Sequence, residues 1–251
     1  MYALEGACAS DTGRVREHNE DSTAAEKRLG LFIVADGMGG YRAGEVASAF
    51  AVTTMVRSLR RQLYELDGRT TSMGRAIKDA LLRANDHIFR SAQSVDEYRG
   101  MGTTIASLLF HDDDVCIAHV GDCRAYRLRD GELRQLTTDH TVHQELIDRG
   151  LCTPEEAAEV VSRSVVTRAL GIDATVNVDV SEQSIQANDM YLLCSDGLTD
   201  MIDDEMIRAT LQSNKSLNGK ASSLVELAND CGGQDNVSVV LVRTAVPLAP
   251  Y

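Results

Sequence analysis

The order of secondary-structure signals predicts an α+β fold made of antiparallel sheets with helices packed outside them. Short apolar runs come first, followed by two adjacent helical segments, several more strands, a helix-prone insert, and further strands and helices. Because strands and helices do not alternate one for one, the order argues against a doubly wound parallel sheet. The 251 residues are enough to bury a full core without disulfides or structural metals.

The strands are predicted from short runs that are rich in Val, Ile, Leu and Tyr. In chain order these runs cover residues 2–9, 31–35, 103–110, 115–121, 124–129, 133–136, 175–180, 190–195 and 237–243. Asp130-Gly131 joins two of the runs and is typical of a hairpin turn.

Three segments, 45–64, 73–92 and 220–230, show apolar residues at helical spacing, and the third ends before Gly232-Gly233. A further helix is predicted to begin at Thr153, with Pro154 at its first position and Glu156 completing a capping box. This helix lies in the polar stretch 140–171, which interrupts the strands, and we predict that the stretch is a flap.

The chain has 38 acidic residues against 25 Lys and Arg, which gives a formal net charge of −13. This charge excludes sequence-independent binding of nucleic acid, which needs clustered basic residues, and no polybasic membrane anchor is present. No apolar stretch approaches the roughly 20 residues that span a bilayer, and the N-terminus lacks a signal-peptide pattern. The six Cys form no CxxC pair, so we expect reduced thiols in a cytoplasmic protein. We also expect a monomer.

Four apolar strands carry an Asp at one end, usually beside Gly: Asp36, Asp122, Asp196 and Asp235. A carboxylate at the end of a buried strand is partly desolvated and needs a compensating partner. Too few Lys and Arg lie adjacent to pair all four, and a divalent cation would stabilise such a cluster. Oxygen ligands favour Mg²⁺ or Mn²⁺ over zinc, and Gly37 would let a backbone carbonyl approach the metal.

A second candidate element is the charged stretch 14–21, which shows no clear periodicity. Arg16 could act as a fork for a phosphate, while Glu20 and Asp21 could add carboxylates to the metal cluster. Each piece also has a simpler interpretation, since a single Asp-Gly is usually a turn and a charged stretch is usually a solvated loop. The combination of all of them is what favours a metal site.

Together these residues resemble the metal-dependent Ser/Thr protein phosphatase family (PPM, type 2C), and the short length resembles a bacterial stand-alone member. The resemblance runs from residue 10 to about residue 243. Its motifs, in family order, are Arg16-x-x-Asn19-Glu20-Asp21, Val34-Ala35-Asp36-Gly37-Met38-Gly39-Gly40, Gly102-Thr103-Thr104, Gly121-Asp122-Cys123-Arg124, Leu136-Thr-Thr-Asp139-His140, Cys194-Ser195-Asp196-Gly197 and Asp235-Asn236.

The resemblance implies a four-layer αββα sandwich, with two antiparallel sheets flanked by helix pairs, in a single phosphatase domain covering 1–251. It also implies hydrolysis of phosphoserine and phosphothreonine in phosphoprotein substrates, opposing a cognate Ser/Thr kinase. The cofactors would be two Mn²⁺ or Mg²⁺ ions per active site, with a third ion in some bacterial members. The flap at 140–171 would border the substrate cleft.

By the same resemblance, Asp36 bridges two metals and Gly37 offers its carbonyl oxygen to one of them. Asp196 and Asp235 bind the other metal. With Asp196, Asp122 matches the position that holds a third metal.

The resemblance also assigns Asp21 to the orientation of a water shared by the metals, Glu20 to a coordinated water, and Arg16 to the substrate phosphate. Two metals lower the pKa of the shared water, which attacks phosphorus without a phosphoenzyme. Some members place a His beside the glycines as general acid. Here Met38 and Tyr41 occupy those positions, so the acid is unassigned, with His18 or a metal-bound water as candidates.

Three other classes are considered. A cysteine phosphatase needs Cys-x₅-Arg, which occurs from Cys8 to Arg14 and from Cys123 to Arg129, but short motifs of this kind arise by chance. A catalytically silent, phosphatase-fold regulatory module would have lost metal ligands, and none is missing. A two-metal nuclease would need a basic groove, which the charge balance disfavours.

Overall fold

The computed structural model of the protein describes residues 2–39, 43–65, 72–162 and 164–245. In this part of the chain, strands β1 to β10 span, in order, Ala3–Asp11, Asp21–Glu26, Leu31–Met38, Gly102–His111, Asp114–Val120, Arg124–Arg129, Glu132–Gln135, Asp179–Ser184, Met190–Cys194 and Val237–Ala245. Helices α1 to α7 span Ala43–Glu65, Met73–Ser94, Val142–Asp148, Pro154–Val160, Asp196–Thr199, Asp204–Gln212 and Leu217–Asp230.

The strands form two five-stranded sheets in which every pair is antiparallel. One sheet has the order β1-β10-β9-β6-β7, and the other has the order β2-β3-β4-β5-β8. Consecutive strands β1 and β2 lie in different sheets, as do β5 and β6. The connections after β1 and after β5 therefore cross from one sheet to the other, and both carry residues predicted for the site.

Residues of β3 alternate between two hydrophobic cores. Leu31, Ile33 and Ala35 pack among residues of α1 and α2 on the outer face of their sheet. Phe32 and Val34 pack against the other sheet, in a cluster that includes Tyr191 and Val240. Since both faces of the strand are covered, its sequence is continuously apolar instead of alternating.

A third cluster joins the outer face of the other sheet to α5, α6 and α7. The result is helices, sheet, sheet and helices in four layers, so the predicted α+β sandwich is confirmed. Within the described residues, no helix has both the length and the apolar character needed to cross a membrane.

The segment 140–171 leaves the sheets between β7 and β8 and contains α3 and α4. The predicted capping box of α4 is present, since Thr153 Oγ1 accepts from Glu156 N and Glu156 Oε2 accepts from Thr153 N. At the start of the segment, Thr141 forms a β-bridge with Val166 near its end. Both ends of the segment are thus held together at the body of the protein.

One predicted strand is wrong, and strand β2 and helices α5 and α6 were not predicted. Residues 175–178 are not a strand, because Asn85 of α2 binds the carbonyl oxygens of Asp173 and Ala174 and Val178 packs into the core from a loop. The strand is β8, a polar edge strand that pairs only with β5. Strand β2 was missed because all six of its residues are half-buried, which leaves no alternation to detect.

Candidate active site

The residues predicted for the site lie together in an open cleft of about 420 Å³ at one end of the two sheets. Seven of the eight line the cleft: Arg16, Glu20, Asp36, Gly37, Asp122, Asp196 and Asp235. The eighth, Asp21, lies directly opposite Asp36 in the β2–β3 pair. Ser164 and Val166 of the segment 140–171 also line the cleft, so this segment borders the site.

Strand register explains why carboxylates distant in sequence meet. Asp21 and Asp36 are cross-strand partners, so their side chains project on the same side of the sheet. In the other sheet the end of β9 pairs with the start of β10, where Ser195 N donates to the Ser238 carbonyl oxygen at 3.1 Å. That pairing brings together Asp196, which follows β9, and Asp235, which precedes β10. Asp122 lies in the connection from β5 to β6.

Two glycines allow the backbone to pack tightly around the carboxylates. A Cβ atom on Gly37 would overlap the carbonyl oxygen of Gly44 and lie 2.6 Å from that of Glu20. A Cβ atom on Gly197 would overlap the carbonyl oxygen of Asn236. The close approach of the chain segments that carry Glu20, Asp196 and Asp235 therefore depends on the absence of a side chain at both positions.

Burial and mutual repulsion disfavour the charged forms of these acids. Burial raises the pKa of Asp196 to about 8, with the Asp122 carboxylate as the next cause. Burial also raises the pKa of Asp21 to about 6 and that of Asp122 to about 6. The pKa of Asp36 lies well above its ordinary value because the group is buried and faces Asp21, Asp196 and Asp122. The site therefore holds protons that a cation could displace.

The donor set fits a hard divalent cation. Asp21 Oδ1 and Asp196 Oδ1 are buried and have no hydrogen-bond partner among the described residues. Asp36, Asp122 and Asp196 form no ion pair within that same part of the chain, although carboxylates that are buried or half-buried normally need a positive partner. Mg²⁺ and Mn²⁺ prefer oxygen ligands, and carboxylates without a positive partner are suited to bind them.

Arg16 provides the positive side chain of the cleft. Its Nη2 donates to Asp235 Oδ2 at 2.6 Å, and its side chain is 56% exposed. The hydrogen bond to Asp235 raises the pKa of Arg16, followed by the negative charges of Asp235, Asp36 and Glu20. The guanidinium is therefore charged and reachable by an anion that enters the cleft.

Asp21 is fixed by two serines whose roles the sequence does not predict. Ser195 Oγ donates to Asp21 Oδ2 at 2.8 Å, and Ser238 N donates to Ser195 Oγ at 3.0 Å. Ser195 is fully buried and uses its hydroxyl for this contact instead of capping α5. The only sequence signal was its place directly before Asp196-Gly197, and its partners lie 174 and 43 residues away.

The general acid stays unassigned. Met38 and His18 both line the cleft, so His18 remains a candidate by position. Tyr41 and Gly40 lie outside the described residues.

The cysteine phosphatase hypothesis is wrong. Cys8 lies within β1, and Cys123 lies in the connection between β5 and β6, so neither begins a helix that would stabilise a thiolate. Burial raises the pKa of Cys123 well above its ordinary value, and the Asp36 and Asp122 carboxylates raise it further. The thiol is therefore protonated and unsuited to nucleophilic attack.

Comparison with known proteins agrees with this site. The family profile described as Protein phosphatase 2C matches residues 12–229. The serine/threonine phosphatase stp of Listeria welshimeri is 38% identical over 237 residues, which cover 93% of this chain and 93% of that protein.

Solved structures give the same result. The serine/threonine phosphatase PstP/Ppp of Mycobacterium tuberculosis superimposes with a TM-score of 0.87 at 39% identity, covering 96% of this chain and 99% of that one. The catalytic domain of PstP in complex with two manganese ions gives 0.86 at 38% identity, covering 98% and 100%. The chain therefore belongs to the protein phosphatase 2C family. It is a metal-dependent phosphatase that removes phosphate from serine and threonine residues of proteins.

Proposed function

We propose that the cleft hydrolyses its phosphoprotein substrates with a water activated by two Mn²⁺ or Mg²⁺ ions held by the clustered carboxylates. The observation that carries the proposal is the convergence of Asp36, Asp122, Asp196 and Asp235 from both sheets on one cleft. Among the residues that the structure describes, no basic side chain forms an ion pair with the first three. When bound, two divalent cations lower the pKa of a water and offset negative charge on the phosphoryl oxygens.

Each side chain then has a role that its contacts support. Asp36 would hold both cations, because the Asp21, Asp196 and Asp122 carboxylates are close enough to raise its pKa. Gly37 would contribute its carbonyl oxygen, and Asp196 with Asp235 would complete the second site. Glu20, whose pKa is raised first by burial, would act through a coordinated water.

Asp21 and Arg16 act on the reacting groups. Asp21 Oδ2 is occupied by the Ser195 hydroxyl, which leaves the buried Oδ1 to accept from the attacking water and orient it. Arg16 holds the substrate phosphate. In this structure the Arg16 guanidinium donates to Asp235 Oδ2, and its exposed donors face the cleft that would receive the phosphate.

The remaining parts of this proposal are a single phosphatase domain over 1–251 with a flap at 140–171, a monomer, a cytoplasmic location and a partner Ser/Thr kinase. The flap is supported by the contribution of Ser164 and Val166 to the cleft wall. A catalytically silent binding module is less favoured, because no ligand position has lost its oxygen donor.

Replacing Arg16 with Ala is expected to raise KM for a phosphopeptide about 10- to 100-fold, because a charge-assisted hydrogen bond to the phosphate contributes about 1.5–3 kcal/mol. Steady-state kinetics with Mn²⁺ measure the change, and kcat should change less. Arg14→Ala is the matched control, since Arg14 is an exposed arginine of the same loop that does not line the cleft. A loss confined to kcat would instead place Arg16 in transition-state stabilisation alone.

Replacing Asp122 with Asn is expected to remove a weak third Mn²⁺ site while leaving two tighter sites, because Asp122 is the ligand assigned to the third ion alone. Isothermal titration calorimetry of wild type and variant gives the stoichiometry directly. Asp112→Asn, an exposed turn position, should titrate like wild type. Loss of a tight site in Asp122→Asn would contradict the assignment.

A further inference from the structure

The loop that carries Arg16 has few attachments of its own. It connects β1 in one sheet to β2 in the other and contains no helix or strand between residues 12 and 20. Its first half is held by Arg14 N, which donates to the Gly233 carbonyl oxygen at 2.7 Å. Within the described part of the chain, residues 15–18 form hydrogen bonds only through the Arg16 side chain and the His18 carbonyl oxygen.

One buried side chain holds the loop on both sides of Arg16, in addition to the bonds that Asn19 and Glu20 form near the end of the loop. Asn236 is 5% exposed and lies just before β10. Its Nδ2 donates to the carbonyl oxygens of Thr12 and His18, both at 2.9 Å, and its Oδ1 accepts from Glu20 N at 2.8 Å. Three hydrogen bonds from one amide therefore fix the loop on both sides of Arg16.

Asn236 is also held rigidly. Its backbone N donates to Asp235 Oδ1 at 2.8 Å, and its carbonyl oxygen lies where a Cβ atom of Gly197 would be. The amide thus takes its position from the same chain segments that carry Asp196 and Asp235. A displacement of those segments would be transmitted to the backbone at His18 and Glu20.

We propose that Asn236 is a positioning residue for phosphate binding: its side-chain amide fixes the loop 12–20 so that Arg16 faces the cleft beside Asp235. The inference rests on the proposed role of Arg16. An Asn is required because the site needs two donated hydrogen bonds and one accepted bond from a single planar group. Asp keeps the acceptor and the shape but loses both donors, and Ala loses all three bonds.

Steady-state kinetics of Asn236→Ala, Asn236→Asp and Arg16→Ala, and of the double variant Arg16→Ala/Asn236→Ala, test this coupling. We expect each Asn236 variant to raise KM for a phosphopeptide and Ki for inorganic phosphate about tenfold or more, the effect of losing hydrogen bonds that position a charged group. In the Arg16→Ala background, Asn236→Ala should add less than about twofold, because coupled residues are not additive. Mn²⁺ affinity, measured by calorimetry, should not change.

Asn85→Ala is the matched control. Asn85 is 2% exposed, and its amide also bonds three backbone groups, at Gly171, Asp173 and Ala174. Its loss should lower thermal stability without raising KM. Limited trypsin digestion, followed by mass spectrometry, should show faster cleavage after Arg14 and Arg16 in the Asn236 variants only.

Three results would overturn the inference: additive effects of the Arg16 and Asn236 substitutions, a loss of Mn²⁺ affinity that accounts for the kinetics, or a response no different from that of Asn85→Ala. If Arg16→Ala raises KM and the Asn236 variants do not, the inference fails while the proposed function stands. If Arg16→Ala leaves KM and Ki unchanged, the proposed role of Arg16 fails, and a KM effect of Asn236 must have another cause.

Discussion

Asp36→Asn is expected to reduce Mn²⁺-dependent turnover by about 10³-fold, because the several kcal/mol that the metals contribute to the transition state depend on this ligand. The substitution preserves shape and leaves the backbone in place, since Asp36 lies within the β3–β4 pairing and its carbonyl oxygen accepts from Thr103 Oγ1 at 2.7 Å. A loss of activity would thus not reflect a loss of fold.

The same substitution should raise the stability of the metal-free protein. Asp36 is half-buried beside three other carboxylates, so an amide removes both desolvation and repulsion at neutral pH. Thermal unfolding in EDTA should show a higher Tm, by about 2–4 °C for each kcal/mol of repulsion removed. Loss of activity together with a gain in stability would indicate that Asp36 serves to bind a cation and does not stabilise the fold.

Asp112→Asn is the control for both measurements. Asp112 is exposed and has a φ of 53°, a conformation that Asn tolerates as well as Asp. Wild-type activity and Tm are expected. If Asp36→Asn retained turnover within about tenfold of wild type, Asp36 would not be a metal ligand. If wild type and Asp36→Asn were equally inactive, the result would favour the catalytically silent regulatory module.

The second large effect is the pH dependence of stability in the absence of metal. Stability should fall as pH rises from about 6.5 to about 8.5, because the pKa of Asp196 is about 8 in the folded state and about 4 when unfolded. Across this range the folded state binds more protons than the unfolded state, so each rise in pH favours unfolding. Asp36, whose pKa is also strongly raised, acts in the same direction.

The chosen range avoids an opposite contribution from histidine. Burial lowers the pKa of His140 to about 4 and also lowers that of His119. Their contribution to stability is complete above about pH 6.5 and is lost as pH falls toward the folded-state values. Above pH 6.5 the unfolded-state histidines lose their remaining protons within about one pH unit, so the carboxylates determine the slope over the upper part of the range.

Adding Mn²⁺ should reverse the trend. The ligands must be deprotonated to bind, so metal binding releases protons and strengthens with pH. The increase in Tm caused by Mn²⁺ should therefore grow across the same range, and turnover should stop in EDTA. Differential scanning calorimetry of wild type and Asp196→Asn, each with EDTA or Mn²⁺, measures this. A metal-free slope that is equal in both proteins would show that Asp196 does not hold the proton.

Much of the site could be predicted from sequence because its signal is local. Asp36, Asp122 and Asp196 directly follow apolar runs, and such a position implies desolvation whatever the rest of the fold. The order of the motifs then indicated one family. The fold of that family predicts that two sheets pack face to face, which hydrophobic periodicity alone does not show. The structure brings every predicted site residue into or beside one cleft.

Strands β2 and β8 could not be predicted because their sequences contain no local pattern that marks a strand. Strand β2 is half-buried throughout and is defined by the pairing of its six residues with β3. Strand β8 is polar and is defined only by pairing with β5, while the apolar residues at 176 and 178 pack from a loop. Hydrophobic periodicity reports whether a face is buried, and it does not report which edge a polar strand joins.

The sequence by itself determined the layered α+β class, the acidic metal-binding chemistry and the family. Tertiary structure alone decided that Ser195 holds Asp21, which is 174 residues away in the chain. It also decided that Asn236 holds the loop of Arg16, with Glu20 216 residues away. The reason is physical. A strand's apolar pattern is fixed by its own burial, whereas a hydrogen bond between distant segments exists only once two sheets have packed and brought them within about 3 Å.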